Sequence, residues 1–221
     1  MNNTMKKQII TLVMLMGIAI GAQAQSRLEP MTQTAQKLWG EKYFETWLSG
    51  KASQQMLIFP SFDFPTALYV YRGYGEIERL QVKWCVVNKD AGENEAKLKL
   101  DSIEIKTDKK TTLAFSNLIK HAVSTCMFND NRLGFDGTTY FFGDYSRVAR
   151  IWSPDDGSNC QRLTDVLEDA MAAVKDQNKD ELKRLLPEVK SLTKVFENLY
   201  PKDIDREWEK NDSILPPKTK L

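Results

Sequence analysis

Proton shuttling at neutral pH and metal binding both draw on histidine, and this chain has one, His121. Two-histidine metal sites are thereby excluded, and a Ser-His-Asp triad would have to be built on His121 alone. Cys126 follows five residues later. A neighbouring imidazole can lower a thiol pKa and accept its proton, but five helical residues turn two side chains about 140° apart. His121 therefore reads as a solvated helix flank. Cys160 is the better candidate for a reactive thiol: Ser158 has the spacing of a helix cap, which puts Cys160 second in the helix, against the positive end of its dipole. Asn129-Asp130-Asn131 and Asp155-Asp156-Gly157 resemble pieces of a calcium loop but lack its alternating acids and terminal Glu, and turn chemistry explains them. No Walker loop, GxSxG elbow, HExxH or paired CxxC occurs, so the expectation is no metal and no cofactor.

The segment richest in recognition chemistry is a hairpin containing Asp136, Tyr140, Arg147, Arg150 and Trp152. Two guanidinium groups beside aromatic faces could hold an anionic or peptide ligand through bidentate hydrogen bonds and stacking. These five residues are the candidate binding site. The competing explanation is cross-strand packing of Tyr140 with Arg147 on a surface hairpin. The run DGTTYFF (136–142), followed by WSP (152–154) and a capped amphipathic helix, resembles a segment of small bacterial exported proteins. The resemblance covers residues 134–174 and implies no activity.

Lys6 and Lys7 begin the chain with charge, residues 9–21 run apolar apart from Thr11, and Ala22-Gln23-Ala24 supplies the small residues of a cleavage site. This is the pattern of a cleavable signal peptide spanning residues 1–24. An uncleaved anchor fits less well, because that apolar run would cover about 20 Å of a ~30 Å hydrocarbon core. Cleavage near Ala24 would leave a soluble chain in the periplasm or outside the cell, with no membrane span. The cleaved chain would carry 29 basic and 30 acidic residues, in place of 31 and 30. That balance argues against nucleic-acid binding driven by phosphate neutralisation. Export also permits disulfides, and Cys126 with Cys160 is the favoured pair, since each falls at a helix end flanking one hairpin while Cys85 falls inside a strand.

The elements that must position these residues follow from periodicity. Ala35, Leu38, Trp39, Tyr43 and Trp47 have helical spacing, ending near Ser49-Gly50, and a loop with Pro60 and Pro65 follows. Residues 67–72, 78–88 and 96–107 alternate as strands of an antiparallel meander with an apolar side and a wetter side, and a bulge is expected at Asp101-Ser102, where the alternation slips. Asp108 can cap a helix whose Phe115, Leu118, Ile119 and Ala122 share a face. A two-residue turn at Gly143-Asp144 would pair Phe142 with Tyr145. Ser158 and Gln161 have capping-box spacing ahead of the clearest amphipathic helix. A last helix runs from about Asp180 to Leu199, bent or broken at Pro187.

The sequence thus describes an α+β single domain, residues 25–212, with an antiparallel sheet (meander plus hairpin) covered by amphipathic helices, and a flexible tail from 213 to 221. The expected function is non-catalytic binding of a protein or peptide partner by an exported protein of inhibitor, immunity or envelope-scaffold type. The alternative is an envelope hydrolase using dispersed carboxylates or a reactive Cys.

Overall fold

The computed structural model describes residues 28–30, 47, 49, 51–73, 75, 77–87, 98–126, 137–143 and 147–199. The expected signal peptide, the helix around Ala35 to Tyr43 and the C-terminal tail lie outside the described residues. Seven strands form one antiparallel sheet: β1 (Glu29–Pro30), β2 (Gln54–Pro60), β3 (Thr66–Tyr71), β4 (Arg79–Val87), β5 (Leu98–Lys106), β6 (Thr138–Gly143) and β7 (Val148–Trp152), in the order β1-β7-β6-β2-β3-β4-β5. Among the described residues three whole helices accompany the strands: α1 (Lys109–Ser124) between β5 and β6, then α2 (Asn159–Lys175) and α3 (Lys179–Leu199) after β7. This is the α+β architecture with helices on the sheet.

The central strand is β2, which falls in part of the stretch expected to be a loop. Its run Met56-Leu57-Ile58-Phe59 has no polar alternation because both faces are covered, so it lacks the period of two that marks a half-buried strand. Met56 turns to the helices and Leu57 to the opposite side, and neither is solvent-accessible. The meander β3-β4-β5 alternates as expected, with Leu68, Val70, Leu80 and Val82 on the helix face. The other face is not simply wetter. Tyr69, Tyr71, Ala67 and Phe141 are buried there in a second cluster closed by Trp47.

The expected bulge at Asp101-Ser102 is absent: β4 and β5 pair without interruption from Arg79↔Lys106 to Val87↔Leu98. The apolar residues change face along a straight strand. Ile103 and Ile105 lie under the helices, while Leu100, opposite Cys85, lies on the other face and is 41% exposed. The strand extends past the area the helices cover. Its charged side chains, Lys99, Asp101, Glu104 and Lys106, are exposed at the sheet's open edge.

The hairpin closes at Gly143↔Val148, so Phe142 pairs with Ala149 and Tyr140 with Ile151, not with Tyr145 and Arg147. The reason is steric. Gly143 has φ +144°, and a β-carbon there would lie 1.9 Å from the Arg147 carbonyl oxygen, so the chain returns directly over Gly143 and residues 144–147 form the connection. The partner moves by four residues, an even number, which keeps every side chain on its expected face.

Both expected caps form. Asp108 accepts the Thr111 N–H at 2.9 Å, and the Ser158 hydroxyl accepts the Gln161 N–H at 3.0 Å. The second box is half built: Gln161 sends its side-chain amide forward to Asp165. Helix α3 is continuous through Pro187 over 21 residues, not broken. Pro187 and Lys183, whose carbonyl loses its helical partner, are both exposed, so water can serve that carbonyl. α1 lies on β2, β3 and β6, α2 on β4 and β5, and α3 packs against both helices.

Candidate functional site

The sheet divides the sequence-derived hairpin site. Tyr140 is on the helix face, where burial first and then a hydrogen bond with Glu168 push its hydroxyl pKa up. Arg150, two strands from the centre and on the opposite face, is 6% exposed and directs Nε and Nη2 at Glu29 Oε2, at 3.3 and 3.1 Å. Its guanidinium fastens β1 to β7 across 121 residues of sequence. Arg147 is exposed in the connection between β6 and β7, and Asp136 lies outside the described residues. One ligand on one face cannot touch Tyr140, Arg150 and Trp152 together.

Trp152 belongs to a different assembly. At Gly137 (φ +139°) a β-carbon would lie 2.2 Å from Ser153 Oγ and 2.9 Å from Trp152 Nε1, so the indole closes directly on this turn and only glycine fits. Ser153 holds φ +40°, a conformation costly for a residue with a β-carbon. It is held by its N–H on the Thr138 carbonyl at 2.9 Å, and its hydroxyl accepts the Thr138 N–H at 3.3 Å. The same Gly137 carbonyl receives both the N–H (2.9 Å) and the hydroxyl (2.8 Å) of Ser61, the first residue of the β2–β3 loop. That loop, 61–65, runs between Pro60 and Pro65, which fix φ on each side. Asp63 folds its carboxylate back onto the Phe64 N–H at 2.7 Å.

The loop held this way displays Phe62 at 86% exposure and Phe64 at 43%. Ser61 bonds Gly137 and the Trp152 indole closes on Gly137, so this loop and Trp152 share one end of the sheet, its aromatic corner. Sequence reasoning missed it, although the signal was present: SFDF between two prolines places apolar residues where a loop offers them no core.

The thiols do not offer a nucleophile. Cys126 is pushed up to about 12, chiefly by burial and then by the Cys160 thiol and Glu29, with Arg147 acting in the opposite direction. Burial also pushes Cys160 up to about 12, against the downward pull of the Leu28 N–H on its sulfur. The helix-dipole expectation for Cys160 is thus overridden by its place in the core, where it is 3% exposed. Burial likewise raises Cys85. All three are thiols in this structure.

A cavity of about 300 Å³ opens where β5 runs into α1 beside the start of α3, lined by Lys106, Thr107, Asp108, Thr111, Lys179, Leu182 and Lys183. Asp108 is the one carboxylate in this lining. The Thr111 N–H, the main hydrogen bond of the cap, holds its pKa below the usual carboxylate range. An acid committed in this way accepts hydrogen bonds and is poorly suited to donate a proton. Among the described residues no group of three His, Cys, Asp or Glu side chains is placed to hold a metal ion, and no helix is long and apolar enough to cross a membrane.

No protein-family model matches this chain, and neither a curated protein nor a solved structure matches it.

Proposed function

We propose that this is an exported, non-catalytic binding protein that docks a protein partner through the aromatic corner of Phe62, Phe64 and Trp152. The observation that carries the reading is Phe62: a phenylalanine 86% exposed on a loop whose backbone is fixed by two prolines and two bonds to one carbonyl. A side chain on such a loop enters a partner's pocket with the ordering entropy of its backbone already spent, and burying one such ring contributes roughly 1.5–3 kcal/mol. Aromatic anchors within a polar surround are the usual energetic centre of an interface. The signal-like pattern of residues 1–24 supports export to the periplasm or beyond. The hydrolase alternative draws less support, because its best thiol is pushed up to about 12 and the cavity's carboxylate serves a helix cap.

The test is in-cell crosslinking of the exported protein with partner identification. A specific crosslinked partner is expected from the native chain, and the double variant Phe62→Ala, Phe64→Ala should lose it while keeping native thermal stability. A partner retained at full yield by the double variant, or no specific partner for the native chain, would overturn the reading.

A further inference from the structure

The three cysteines are sorted by the sheet. Cys85 belongs to the aromatic face, packed against the cluster of Trp47, Tyr69 and Phe141. Cys160 is inside the helix-face core, and Cys126 packs against that same core. Cys126 directly follows the C-cap of α1, and its N–H bonds to the Val123 carbonyl at 3.1 Å. Cys160 is the second residue of α2. The Cys160 thiol and Glu29 both act electrostatically on Cys126, and the Leu28 N–H reaches the Cys160 sulfur, so the two thiols, on the helix face of the sheet, share the neighbourhood of Leu28 and Glu29.

We infer that Cys126 and Cys160 are an oxidation site, joined in an intramolecular disulfide that ties the end of α1 to the start of α2 and leaves Cys85 as the free thiol. The odd cysteine count is then explained by position: the sheet stands between Cys85 and either possible partner. The inference rests on the export reading for access to an oxidising compartment. The bridge would enclose the whole β6–β7 hairpin and the Gly137 turn.

The chemistry is thiol–disulfide exchange. One cysteine thiolate attacks a disulfide of the oxidant, whether glutathione disulfide or an exported dithiol oxidase, and releases one oxidant thiol. The second cysteine thiolate then attacks the mixed disulfide, forming the Sγ–Sγ bond and releasing the other oxidant thiol. Two electrons pass to the oxidant, and the two cysteine protons end on its thiols. Thiols raised to about 12 are scarcely ionised at neutral pH, so the exchange belongs to the folding chain, before burial is complete.

The experiment has two arms. The full-length precursor is expressed in a bacterial host, the exported fraction is alkylated under denaturing, non-reducing conditions, and its peptides are mapped; the N-terminus of the recovered chain reports cleavage separately. The expected result is one alkylated cysteine, Cys85, and a linked peptide joining Cys126 to Cys160. In the second arm the reduced chain is refolded in a mixture of reduced and oxidised glutathione, which tests the pairing whatever the cellular location. The same link should form, raising the melting temperature by about 10 °C over the reduced protein. Cys126→Ser and Cys160→Ser should each abolish that rise, and Cys85→Ser should keep it. Three alkylated thiols in the refolded protein, or any bridge that includes Cys85, overturns the assignment.

Discussion

The two faces of the sheet are buried to a similar depth by different means. Under the helices the residues are almost all aliphatic or phenylalanine, and their stability comes from removing apolar area from water. On the opposite face Ala52, Leu57, Ala67 and Val148 share the core with aromatic residues, and around them sit polar groups that each need a particular partner. The Tyr69 hydroxyl donates to the Trp47 carbonyl, Arg79 stacks 3.9 Å from the Tyr71 ring centre, Lys83 sits 5.1 Å from that of Tyr69, and Arg150 is closed by Glu29. Area alone stabilises the first face and tolerates repacking. The second face depends on matched pairs, and the loss of one partner leaves the other stranded.

Four variants sharpen that contrast, each followed by denaturant unfolding. Phe115→Ala, at a fully buried site on the helix face, should cost about 4 kcal/mol, as expected for a large cavity in an apolar core. Glu29→Gln on the opposite face should cost about 3 kcal/mol, because Arg150 keeps its charge without its counter-ion. The apolar pair Glu29→Met with Arg150→Leu should recover most of that loss; if it does not, the matched-pair account of this face fails. Tyr69→Phe should cost about 1 kcal/mol by leaving the Trp47 carbonyl without its donor. A Tyr69→Phe loss as large as that of Phe115→Ala would mean that the two faces are built alike.

What was legible in the sequence follows the same division. Phe115, Leu118, Ile119 and Ala122 recur at helical spacing because one apolar stripe meets one core, and Asp108 announces the start of α1 by its own chemistry. Strands β3 and β4 alternated because tyrosine and arginine on the second face look polar in a pattern, although Tyr69 is fully buried. Strand β2 was obscured by burial on both sides. The shift at Ile103 reads as a bulge because apolar alternation ordinarily marks the covered side, whereas Leu100 is apolar on a face that leaves it exposed and the pairing runs on unbroken. For the site, the candidate arginine Arg150 was identified by residue type, but its partner Glu29 lies 121 positions away and nothing local links them. The Phe62 corner depends on Ser61 meeting Gly137, a contact that only the assembled sheet creates.

The two outermost strands also govern how copies of this protein meet. A sheet that ends in bare backbone invites a second sheet to continue its ladder, and concentrated chains then stack into fibres. One margin here is a two-residue strand whose second residue, Pro30, has no N–H to offer. The other presents nine residues of backbone but carries Lys99, Asp101, Glu104 and Lys106 along it, so an incoming strand must desolvate charge along its whole length. Both margins therefore discourage self-association by strand addition, one because it is short and lacks an N–H and the other because its backbone is flanked by charge.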